Sequence, residues 1–241
     1  MRKKPKLLWC GDIVAMTGFA RVTENVLKHL GDNFEVSVLG HNWWGDPTPL
    51  QEKYEMFPSS NRYQTEPFGV QRIREIVERV KPDIVFTIND MWIINQQYQQ
   101  IADLHAQKKF KFVGYAPMDS YNWTGCLADT ANNWDAVISY TEFGAHQFIA
   151  GGITKPVAVI PHGMTPDQFY PIDKQEARKK LGLDPDIFIV LTATAISSAS
   201  GSTSPSRRLP SLPRTNLKLS CTYTWAARTK AGTSCRSLHG K

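Results

Sequence analysis

Apolar positions along the chain follow two periods. Short continuous or alternating runs occur at residues 6–10 (KLLWC), 34–40 (FEVSVLG), 84–88 (IVFTI), 110–115 (FKFVGY), 134–140 (WDAVISY), 157–160 (VAVI) and 187–191 (IFIVL). Each is brief and rich in β-branched or aromatic residues, so each predicts a strand. The unbroken run at 84–88 fits a strand buried on both faces of a parallel sheet. Between the runs the spacing becomes helical. Val22, Val26, Leu27 and Leu30 mark a helix over 21–30, stopped by Gly31. Val70, Ile73, Ile76, Val77 and Val80 share one face over 69–80, and Lys81-Pro82-Asp83 breaks that helix. Further helices are predicted at 91–105, 141–150 and 173–181, the last ending at Gly182. Strands alternating with helices predict an α/β fold: a Rossmann-like, doubly wound parallel sheet with helices on both faces.

The chemistry-bearing residues sit where strands end. A loop from Gly11 to Gly18 leads into the first helix, whose free N–H groups can hold a phosphate. The glycine pattern of dinucleotide-binding loops is absent, which argues against NAD. Gly18 reads either as a point of close backbone approach to a ligand or as a plain turn residue, and Thr17 as a helix cap. Asn89 and Asp90 follow the 84–88 strand, at the strand end where open α/β sheets place ligands. Asp119 and Ser120 follow the 110–115 strand, and Asp119 reads either as orienting an acceptor or as a helix-cap or turn residue. Pro161 ends the 157–160 run, because proline cannot donate to a sheet ladder. His162 and Gly163 then turn the chain, and Phe169 and Tyr170 offer a hydrophobic anchor before Pro171. Trp43 and Trp44 lie in a polar loop and read either as a platform for a sugar face or as a lid on the core.

Charge divides the chain. The net charge of +6 suggests a nucleic-acid or membrane partner until it is located. Residues 192–241 hold eight Lys/Arg and no Asp or Glu, so the first 191 residues carry a net −2. The body therefore gives no electrostatic reason to expect nucleic acid. Four cysteines show no metal or redox spacing and read as free thiols. The absence of a membrane-length apolar run and of a signal-peptide core predicts a cytoplasmic protein. Peripheral association with a membrane is left open.

Three stretches together resemble one family: TGFARVTENVLKHL, DAVISYTEFG, and the frame strand-I-P-H-G-x5-F-x-P at residues 157–171. They are similar to the N-terminal domain of GT-B fold glycosyltransferases of the retaining type in glycosyltransferase family four. The resemblance covers about residues 6–191. It implies transfer of a sugar from a nucleotide-sugar donor to an acceptor hydroxyl, as in a hexosyltransferase, with an active site between two Rossmann-like domains. It implies no metal and no cofactor beyond the donor, since helix N-termini and Arg/Lys neutralise the diphosphate. It assigns Gly18, Phe19 and Arg21 to the donor phosphates, Asp119 to a catalytic position, and Asp90, Ser120, His162 and Gly163 to the acceptor or cleft. Many members carry a histidine in the loop where this chain has Asp119, and the E-x7-E element of the second domain is missing.

After Leu191 the pattern stops. Residues 192–241 contain eighteen Ser/Thr and keep neither period. This predicts a disordered basic tail after a domain spanning 1–191, in which 173–181 is a linker helix and 187–191 opens a second domain. A reading-frame slip also accounts for it: the shifted frame permits a glycine- and arginine-bearing loop directly after IFIVL, as the family's second domain would open. On that reading the chain is an incomplete, inactive half. The alternative is a non-catalytic Rossmann-like binding module whose basic tail meets an anionic partner.

Overall fold

The computed structural model describes residues 3–60, 66–121 and 126–186. The chain divides into two compact units, Met1–Gly163 and Met164–Lys241. The first holds strands β1 (Lys6–Asp12), β2 (Glu35–His41), β3 (Glu55–Pro58), β4 (Ile84–Ile88), β5 (Lys111–Ala116), β6 (Ala136–Ser139) and β7 (Val157–Val159). Its helices are α1 (Gly18–Leu30), α2 (Ile73–Val80), α3 (Met91–Gln99), α4 (Ala102–Ala106), α5 (Cys126–Ala131) and α6 (Glu142–Ala150), with a 3-10 turn at Pro49–Glu52. All seven strands are parallel, in the order β3-β2-β1-β4-β5-β6-β7. This is the α/β, Rossmann-like sheet that the alternation predicts.

Side-chain alternation along β1 sorts the core into two layers. Leu8 and Cys10 point to the face covered by α2, α3, α4, α5 and α6. Leu7 and Trp9 point to the other face, where Leu27 of α1 packs. Trp9 stacks on Phe86 with ring centroids 4.4 Å apart, and its indole N–H donates to Thr23 of α1 at 3.1 Å. Carboxylates tie the starts of the strands together. Asp83 accepts the Lys6 amide at 2.7 Å, and Asp135 accepts the Phe112 amide, Lys111 Nζ and His105 Nε2, each at 2.8 Å. Cys10 is buried with a free thiol.

Several boundaries differ from those read in the sequence, each for a local reason. α1 begins at Gly18, not Arg21, because Thr17 caps it by accepting the Ala20 amide. Residues 69–72 form a turn instead of the first turn of α2: Gly69 has φ +69°, and Glu66 accepts the Phe68 and Val70 amides at 2.6 Å. The helix expected over 91–105 breaks at Ile101, whose φ of −128° is not helical. Trp134 precedes β6 and lies in the core. β3 is an additional edge strand, four residues ending in Pro58.

The second unit begins at Met164 and is described to residue 186. It contains α7 (Lys174–Leu181), capped by Asp173, which accepts the Gln175 and Glu176 amides, and ended by Gly182 at φ +67°. Arg178 donates to the carbonyls of Asp184 and Pro185 at 2.6 and 2.7 Å. Phe169 and Tyr170 are exposed and do not form the expected anchor. The expected strand at 187–191, the tail at 192–241 and the frame slip lie outside the described residues. Among the described residues no helix is long and apolar enough to cross a membrane.

Candidate functional site

The strand order creates a crevice. The chain leaves β1 toward α1 on one face and leaves β4 toward α3 on the other. Because β1 and β4 are neighbours, their exits diverge and open a gap at the carboxyl ends of the strands. A cavity of about 510 Å³ lies there, lined by Asp12, Thr17, Gly18, Phe19, Asn42, Phe68, Asn89, Asp90 and His162.

Asp12 ends β1 and is only 2% exposed. Its Oδ2 accepts the Thr17 hydroxyl at 2.6 Å, and its Oδ1 accepts the Asn42 amide at 2.8 Å. Asn42 follows β2 in the left-handed region, φ +51°, which asparagine tolerates better than most residues. The Asp12 charge is therefore held by two fixed donors on two different loops.

A buried polar network supports the floor. His41 is fully buried, with Nδ1 3.1 Å from Asn89 Nδ2 and Nε2 2.8 Å from Gln97 Nε2. Asn89 Oδ1 accepts the Asp90 amide at 2.8 Å, and Gln97 Nε2 also donates to the Phe68 carbonyl at 2.7 Å. Each ring nitrogen thus faces an amide nitrogen; the neutral ring accepts at one of them only, and a doubly protonated ring would accept at neither. Burial pushes the His41 pKa down to about 4, against the opposing pull of Asp12. Thr87 donates to Gln97 Oε1 at 2.6 Å and completes the chain.

His162 is held from the other side. The Tyr115 hydroxyl donates to the Ile160 carbonyl at 2.6 Å, fixing the segment after β7. The His162 ring packs 4.1 Å from the Tyr140 ring and 5.6 Å from that of Tyr115. Partial burial lowers its pKa, favouring neutral imidazole. The Tyr140 hydroxyl is buried with no partner among the described residues, and desolvation raises its pKa.

The crevice brings together Gly18, Phe19, Asp90 and His162 from the set read in the sequence. A Cβ added at Gly18 would point into open space. Asp90 precedes α3 without capping it through its side chain. Arg21 is exposed and pairs with Glu24 at 4.0 Å, outside the lining. Asp119, Ser120 and Gly163 are exposed and also lie outside it. Trp43 is buried, its indole N–H donating to the Asp46 carbonyl at 2.9 Å, whereas Trp44 is 50% exposed. The sequence reading placed Asn89 at a ligand-bearing strand end, but it missed Asp12, Asn42 and Phe68 as lining residues and gave Thr17 only as a helix cap. A polar residue ending an apolar strand was the available signal for Asp12. Among the described residues no cluster of three or more His, Cys, Asp or Glu is placed to hold a metal ion.

A family model described as Glycosyltransferase Family 4 matches residues 16–168. No curated protein matches the chain. Among solved structures, the chain is similar to the apo form of the lipopolysaccharide outer core galactosyltransferase WaaB, with TM-score 0.51 and 13% identity over 80% of this chain and 53% of that one. A glycosyltransferase from Rickettsia africae ESF-5 gives TM-score 0.49 and 17% identity over 82% and 54% of the two chains. The first of these likenesses concerns the fold alone. The chain spans about half the length of the solved structures it matches.

Proposed function

Because the chain belongs to Glycosyltransferase Family 4, we propose that it supplies the acceptor side of a reaction moving a sugar from a nucleotide-sugar donor to an acceptor hydroxyl, with retention at the anomeric carbon. The observation that supports this most is the crevice at the β1–β4 exits, lined by His162 and by Asp90, a carboxylate without a helix-capping bond, together with the first turn of α1.

Asp90 accepts a hydrogen bond from the acceptor hydroxyl and orients it. Neutral His162 contributes one ring nitrogen to the same sugar, its plane set by Tyr140 and Tyr115. The Gly18 and Phe19 amides, at the positive end of α1, approach the donor diphosphate, and the missing side chain at Gly18 leaves room for it. Arg21 adds positive charge near that end. Asp119 and Ser120, exposed past the exit of β5, contact an extended acceptor instead of the reacting hydroxyl. The remaining diphosphate charge is met by Arg and Lys of a second Rossmann-like domain, so no metal is assigned and residues 1–241 alone do not transfer sugar.

The test uses the chain joined in frame to a second domain and a panel of nucleotide sugars. Asp90→Asn and His162→Ala should each lower kcat/KM by about 10²-fold, in the range for a lost positioned acid–base or polar group. Unchanged transfer in both variants would remove the crevice from the mechanism. NMR of the product anomer should show retention, and an inverted product would contradict the assignment.

A further inference from the structure

The crevice is one-sided in the charge of its side chains. Asp12 and Asp90 bring two carboxylates, and no lysine or arginine among the described residues lines it. Each Asp12 oxygen accepts one bond from the protein and keeps further lone-pair capacity. Asp90 accepts no helix-capping bond. Asn42 donates to Asp12 through its amide nitrogen, which leaves its carbonyl oxygen as an acceptor. At Asp12 and Asp90 such a lining accepts from O–H donors and repels a ligand group that brings negative charge. Phe19 and Phe68 add apolar surface. Both are held edge-on by neighbours, Phe19 by Tyr140 at 6.5 Å and Phe68 by Trp92 at 5.9 Å. Hydroxyl-binding carboxylates beside aromatic surface suit a sugar ring, with its polar rim and its C–H face.

We infer that the acceptor seated in this crevice is a sugar without an acidic group. A phosphate or carboxylate on that sugar would stand against two carboxylates in a partly desolvated cleft, where like charges repel more strongly than in bulk water. The inference rests on the glycosyltransferase reading and narrows it to a substrate class.

The test measures binding to the 241-residue chain by saturation-transfer NMR. The probes are the methyl glycosides of glucose, galactose and N-acetylglucosamine, set against glucose 6-phosphate and galacturonic acid. At least one neutral glycoside should bind, and the acidic sugars should bind about tenfold more weakly at low salt. Added salt should narrow the difference by screening the repulsion. Asp90→Asn should narrow it as well. Acidic sugars binding as tightly as neutral ones would overturn the inference and leave the glycosyltransferase reading standing. Binding of neither class would overturn the inference and count against the acceptor-side reading itself.

Discussion

The Thr17 hydroxyl donates to Asp12 Oδ2 at 2.6 Å while its oxygen accepts the Ala20 amide at 3.1 Å. One side chain thus caps α1 and holds the buried carboxylate of the crevice. Thr17→Val removes both bonds at nearly constant volume and should cost about 2 kcal/mol, somewhat above a typical lost cap. Thr17→Ser should retain most of that stability. Urea unfolding of the three proteins checks this, and equal midpoints would contradict it.

Acid should destabilise the fold through His41. Its pKa falls to about 4 in the folded chain from 6.5 in the free side chain, chiefly through burial. Between those values the unfolded chain binds a proton that the folded chain does not. Stability is therefore complete above about pH 6.5 and is lost as pH falls toward 4. At pH 5 the loss from this one residue should be about 2 kcal/mol relative to pH 7. Asp135, held below the usual carboxylate range by Lys111, the Phe112 amide and His105 despite its partial burial, adds a further loss only at lower pH. Urea unfolding from pH 7 to 4 gives the slope, and a flat profile down to pH 4.5 would contradict this account of His41.

The strands were legible because a parallel sheet buries both faces and leaves unbroken apolar runs such as IVFTI. β3 was not, since four residues at an edge, ending in proline, carry too little pattern. The start of α1 was misplaced because Gly18 and Phe19 look like loop, although the Thr17 cap, itself read in the sequence, puts them in the helix. Half of the crevice was legible for a related reason. Asp90 and His162 follow obvious strands, whereas Asp12 belongs to β1 itself, and Asn42 and Phe68 come from loops brought in only by tertiary contacts.

Gly114 of β5 lies directly beneath the Trp134 ring, and an added Cβ would overlap that ring. Trp134 is fully buried and cannot retreat without opening the layer that holds Phe112 and Tyr98. Gly114→Ala should cost about 1–3 kcal/mol by overpacking. Trp134→Phe in the same chain should recover part of the loss. A thermal midpoint unchanged by Gly114→Ala would contradict this packing.

Tyr115→Phe removes the bond to the Ile160 carbonyl and leaves the aromatic contact with His162. It should cost about 1 kcal/mol. It should also speed amide hydrogen exchange in the segment around His162 while leaving α1 unchanged. Equal exchange in both proteins would show that Tyr115 does not position His162.

The central claim is that residues 1–241 carry the acceptor half of an active site whose donor half comes from a second domain. Losing even one charge-stabilising donor slows acyl-transfer enzymes by about 10²–10³-fold, and here most of the diphosphate contacts would be absent. The direct measurement is nucleoside diphosphate release, with acceptor present, by the 241-residue chain and by the same chain joined in frame to a second Rossmann-like domain. The account predicts no release above background from the first and sustained, acceptor-dependent release from the second. Robust transfer by residues 1–241 alone would contradict it.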